Sequence, residues 1–207
     1  METSRPLIRG EYLKALEENP LRFSNDGRRL RMKPIMNGAS AYIYAFRKDV
    51  IQILSDESGV SFRTYPVRIC YGKNNEIEDN NYEIFQNLTW LDAIDVEKSD
   101  CKVGILKSRN LKVCWDFKRF VLDEEKVGKH QIFYLEGVDP YLFVYRDLWE
   151  KIKKGKKKSD FTNLNVLDLS NEESDLNLMN LYFSYDKDVR RGDVELLRDN
   201  HSGEGIL

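Results

Sequence analysis

Hydrophobic positions along the chain change period several times, and the changes mark out its elements. Leu7-Ile8 and Tyr12-Leu13-Leu16 fall at helical spacing, and Glu17-Glu18-Asn19-Pro20 supplies a stop, which predicts a short amphipathic helix over 7–18. Turn-forming clusters follow at Ser24-Asn25-Asp26-Gly27 and Asn37-Gly38-Ala39-Ser40. The texture then becomes that of strands, over 41–46, over 60–71 with Pro66 marking an edge or a bulge, and over 82–88. Thr89 predicts the cap of a helical turn through Glu97. Segments 102–107 and 111–121 flank Ser108-Arg109-Asn110 as the arms of a hairpin. A strand over 131–138 and a helix over 141–154, begun by Pro140, complete the body. Further on, 163–169 predicts a strand and 172–183 a helix, before a loose charged tail.

This order predicts an α+β fold, a sheet-rich globular body resembling a small OB-like, partly open β-barrel with flanking helices. The expected divisions are a body over 1–150, a basic linker over 151–160 and an acidic C-terminal extension over 161–207 with one short helix.

Composition narrows the class. The 207 residues are 41% apolar and 12% aromatic, too rich in core-forming side chains for whole-chain disorder. No apolar run reaches the ~18 residues of a membrane span. Glu2 stands where a signal peptide would be apolar, so the expected setting is intracellular, with no membrane partner. Cys70, Cys101 and Cys114 form no Cys-x-x-Cys, which argues against a disulfide framework or a zinc knuckle. With only His130 and His201, zinc-hydrolase centres and Ser-His-Asp triads lack their imidazoles. Neither a phosphate-binding G-x-x-x-x-G-K-[ST] loop nor a G-x-G-x-x-G is present.

The overall charge of −2 hides segregation. Residues 22–33 hold five basic side chains against Asp26, and 151–158 hold six lysines and no acid. Segments 56–100 and 159–207 are acidic. Clustered signs point to partners or tails rather than to an evenly solvated surface.

Three constellations carry candidate chemistry. On a strand, Tyr42, Tyr44 and Phe46 would share a face and stack unpaired bases, while Arg28, Arg29, Arg31 and Lys33 neutralise phosphates. The plainer reading makes the aromatics core and the basic arm self-paired. Lys153, Lys154, Lys156, Lys157 and Lys158 match a nuclear-import signal and a nucleic-acid patch alike, because both partners read charge density. Leu178, Met179, Tyr182 and Phe183 line one helical stripe, either a last core helix or a segment that a partner grips.

A further arrangement is enzymatic. Trp115-Asp116-Phe117-Lys118 contains a D-x-K, with Asp95 among the acids upstream. This resembles the PD-(D/E)xK nuclease core, and the resemblance covers about thirty residues around that motif. It implies Mg²⁺ held by Asp95 and Asp116, with Lys118 steadying the attacking water. The preceding acid lacks the usual proline, and the plainer reading is a surface salt bridge. The sequence therefore points to a non-enzymatic binding protein, nuclear and linked to nucleic acid or a nucleic-acid-bound complex, needing no cofactor. A protein-protein adaptor subunit is the alternative, and the Mg²⁺-dependent nuclease the second alternative.

Overall fold

In a computed structural model of the chain, residues 10–24, 33–37, 43–71, 77–107, 110–138, 141–161, 163–164, 166, 168–169 and 194–199 are described. In chain order the elements begin with helix α1 (Lys14–Glu18), then strands β1 (Leu21–Ser24), β2 (Ile35–Asn37) and β3 (Tyr44–Arg47), and helix α2 (Lys48–Ser55). Strands β4 (Phe62–Tyr71), β5 (Ile77–Asp79), β6 (Tyr82–Asn87), β7 (Trp90–Leu91), β8 (Asp100–Leu106) and β9 (Leu111–Arg119) follow. Helix α3 (Glu124–Val127), strands β10 (Ile132–Leu135) and β11 (Phe143–Val144), helix α4 (Arg146–Lys153), a 3-10 turn (Lys158–Phe161) and β12 (Val194–Asp199) close the order. The sheets are open and the fold is α+β. No helix among the described residues is long and apolar enough to cross a membrane.

Two compact units share the chain in alternation. One takes Met1–Thr89, Lys129–Phe133 and Val144–Asn165, and the other Trp90–Gly128, Tyr134–Phe143 and Val166–Leu207.

The first unit is built on the strand path β1-β4-β6-β3-β2, with β5 alongside β4. Alternation along β4 sends Tyr65, Val67 and Ile69 inward, where they meet Ala45, Ile84 and Leu16 in one apolar cluster. Pro66 carries no N–H, and the chain uses it where β4 changes partners: it is the last residue paired with β6, and β1 begins at Val67. Helix α2 lies against β3 and β6 and buries Val50 and Leu54, one turn apart. Helix α4 buries Leu148 and Ile152 at the same spacing and packs on α2.

In the second unit β8 and β9 form the expected hairpin, Leu106 opposite Leu111, and β12 adds to its outer edge. The parallel pair β7 and β10 brings Trp90 and Tyr134 together at 4.8 Å between ring centroids. Strand β7 stands where a helical turn from Thr89 was expected. The Asn87 amide donates to the Thr89 carbonyl instead, and the Trp90 backbone goes to β10. The helix expected over 141–154 is shortened to Arg146–Lys153, because Phe143 and Val144 are drawn into β11. Likewise α1 keeps only Lys14–Glu18 of the expected 7–18, of which residues 7–9 lie outside the described ones.

Candidate functional site

The lysine run is not isolated from the sheet. Lys151 and Lys153 close helix α4, where cations suit the negative end of the helix dipole, and Lys158 opens the 3-10 turn. The Lys157 N–H donates to Asp160 Oδ2 at 2.9 Å and fixes that turn. Lys33 donates from Nζ to the Ser159 carbonyl, and Asn163 Nδ2 donates to the Ile35 carbonyl at 2.8 Å, so the segment is tied to β2.

A second tie runs to the start of α2. Arg47 grips Asp49 with two parallel bonds, Nε to Oδ1 at 2.6 Å and Nη2 to Oδ2 at 2.7 Å. Lys156 Nζ lies 3.3 Å from the same Oδ2, and only 9% of its side chain is exposed. The Arg47 bonds, then the Lys156 charge, hold the Asp49 carboxyl at about 2 against burial, which works the other way. Lys156 is therefore an anchor, and its neighbours form the free surface.

The side chains sort cleanly by partner. Lys151 pairs with Glu57 at 2.6 Å, and Lys153 pairs with Glu150 at 2.6 Å while lying over the Trp149 ring. Lys154, Lys157 and Lys158 are exposed and meet no carboxylate among the described residues. Lys48, beside Arg47 at the start of α2, is exposed and unpaired in the same sense. The result is four free ammonium groups on a fixed platform, able to neutralise an anionic chain without reorganising.

Asp49 and Arg47 were not legible as part of this site, since they lie over 100 positions from Lys156 and form their own local pair. We expect Asp49→Asn to loosen the platform by under ~1 kcal/mol, because the group is 45% exposed and solvent screens it. Asp49 titrates lower in the folded chain than its ordinary 3.8, so its contribution is complete above that value and fades as pH falls toward about 2. Thermal melts of the two forms should accordingly differ near neutral pH and converge in acid.

The remaining expected site residues fall elsewhere. Tyr44 and Phe46 do share a face of β3, but Phe46 is 2% exposed and stacks on Phe85 at 4.5 Å. Its ring belongs to the core and offers nothing to a base. Arg28, Arg29, Arg31, Tyr42, Leu178, Met179, Tyr182 and Phe183 lie outside the described residues.

The D-x-K arrangement changes character in the fold. Strand β9 bulges at this motif: residues 116–118 stand opposite Cys101 alone, between the Lys102–Trp115 and Asp100–Arg119 pairs. Asp116 takes a φ of +58° and pairs with Lys102 at 2.7 Å. Asp95 pairs with Lys98 at 2.9 Å, and that bond lowers its pKa. Among the described residues no group of three or more His, Cys, Asp or Glu side chains is placed to hold a metal ion. No protein-family model matches the chain, and no curated protein matches it in sequence.

Proposed function

We propose that this protein is a non-enzymatic, nuclear binding module that holds a nucleic acid, or a nucleic-acid-bound complex, on the lysine platform of its first unit. The observation that carries this reading is the contrast within one short segment: Lys156 is anchored on Asp49, while Lys154, Lys157 and Lys158 stand exposed. A merely solvated run would not need its own anchor. Lysine reads charge rather than base identity, so binding is expected to be weakly selective and strongly salt-dependent. The finer OB-like description and the acidic extension remain part of this proposal. An adaptor is the second reading, favoured by edge strand β12, which exposes Leu196 and Leu197 at 40% and 43%.

The test is anisotropy of labelled single- and double-stranded oligonucleotides over a salt series. Lys154→Glu/Lys157→Glu/Lys158→Glu should weaken binding at least tenfold and lower the log–log salt slope by about three on duplex DNA, roughly one per phosphate contact. Lys14→Glu on α1 makes the same kind of charge change elsewhere in the unit and should do far less. Absence of wild-type binding at ~50 mM salt would overturn the nucleic-acid reading.

A further inference from the structure

In the first unit a polar seat on the sheet holds the arm formed by residues 10–18. Arg63 on β4 stands opposite Gln86 on β6, and Tyr65 lies two residues along β4, on the same face. Tyr65 and Gln86 are both buried. Gln86 Oε1 accepts from the Tyr65 hydroxyl at 3.1 Å and from Arg63 Nη1 at 3.2 Å, so the three side chains fix one another. Their hydrogen bonds to the arm go to its backbone. Gln86 Nε2 donates to the Glu11 carbonyl at 2.9 Å, Arg63 Nη1 donates to the Gly10 carbonyl at 3.4 Å, and the Leu13 N–H donates to the Tyr65 oxygen at 3.0 Å. Arg63 also lies over the Tyr12 ring, 5.2 Å from its centroid, and Leu13 and Leu16 pack into the apolar cluster of the sheet. The arm carries bonds of its own, Tyr12 to Glu17 at 2.7 Å and Lys14 to Glu18 at 3.3 Å. Its helix, α1, has five residues and is too short to persist without the seat.

We propose that the Arg63–Tyr65–Gln86 seat also takes the arm of a second copy of this chain, so that two copies exchange arms and form a dimer. A sheet that needed only a cover would bury apolar side chains here, since buried polar groups cost free energy unless their bonds are met. An extended backbone meets them, and a second copy presents the same carbonyls and N–H, followed by the same ring and leucines. Every bond between seat and arm is therefore identical whichever copy supplies the arm. The closed and exchanged forms differ at the link to β1 and in the entropy of pairing. That link is the two residues Asn19-Pro20, and Asn19 takes the extended φ of −131° favoured before a proline. Rotation there swings the arm off its own sheet while β1 stays paired with β4. Exchange consequently rises with protein concentration and reverses on dilution.

The experiment uses the full chain in two isotopic forms, light and heavy, each with a photoreactive benzoylphenylalanine in place of the exposed Tyr12. Equal amounts are mixed in dilute solution, concentrated, separated by size and irradiated, and the cross-linked peptides are read by mass spectrometry. The unsubstituted chain, followed by light scattering, should itself form a dimer on concentration that about tenfold dilution returns to monomer. In the dimer fraction the probe should join the arm to the β4 peptide, with roughly half of the pairs linking light to heavy, as random pairing of copies requires. In the monomer fraction each pair should carry one isotope. A chain that stays monomeric up to its solubility limit would overturn the proposal. A dimer whose arm-to-β4 pairs are all light–light or heavy–heavy would overturn it equally, because each arm would then sit on its own sheet. The light-scattering measurement needs no variant, so a misfolded mutant cannot obscure it.

Discussion

Gly59→Ala should destabilise the first unit by ~3 kcal/mol or more, the largest effect expected of a glycine-to-alanine change among the described glycines. Gly59 has a φ of +81°, and a Cβ there would stand 1.9 Å from the Lys129 carbonyl oxygen, which is backbone and cannot rotate away. The Gln131 N–H also donates to the Gly59 carbonyl, so the turn cannot slide without losing a bond. Gly155 separates the two contributions. Its φ is +74° but nothing lies within 4 Å of an added Cβ, so Gly155→Ala should lose only the ~1 kcal/mol of left-handed strain. Urea denaturation of both variants measures the difference. Equal losses would mean that the 58–59 turn yields to the 129–131 segment and that their approach is not a constraint.

Phe46→Ala should remove ~3–5 kcal/mol of stability, the usual range for deleting a buried phenyl ring. Its ring lies flat on Phe85, which in turn touches Phe62 at 5.4 Å, so the cavity would open among aromatics that cannot easily collapse into it. Phe46→Leu should recover much of the loss. The same pair of variants decides the aromatic-stripe question. A core ring changes the melting temperature and leaves the salt slope of oligonucleotide binding alone, whereas a base-stacking ring would weaken binding at unchanged stability.

Local chemistry made much of the fold legible. The hairpin of β8 and β9 came from its own turn residues and alternation, Pro66 marked a real change of strand partner, and the aliphatic and aromatic runs at 62–71 and 82–87 are strands. What was not legible depends on distant partners. Nothing near Trp90 announces a parallel pairing with Tyr134, so Thr89 reads locally as a cap. The lysine run reads as a linker until Asp49, the Ile35 carbonyl and the Lys33 ammonium are seen to fasten it and the residues just after it. The β9 bulge, with its φ of +58° at Asp116, was not legible either, because bulges leave little trace in a single sequence.

The alternation of the two units along the chain has a consequence for how the molecule is made. The first unit takes its sheet from the first 89 residues, yet it also requires 129–133 and 144–165. A ribosome therefore delivers β1 to β6 well before Lys151 of α4 and the following Lys156, which pair with Glu57 and Asp49. Until then strands of the unit wait with apolar surface uncovered, a condition that favours chaperone capture and slow, late closure. No single cut would release either unit whole, so a nascent chain halted near residue 128 should be protease-sensitive in its first unit, and protection of that unit should arrive once residue 165 has emerged.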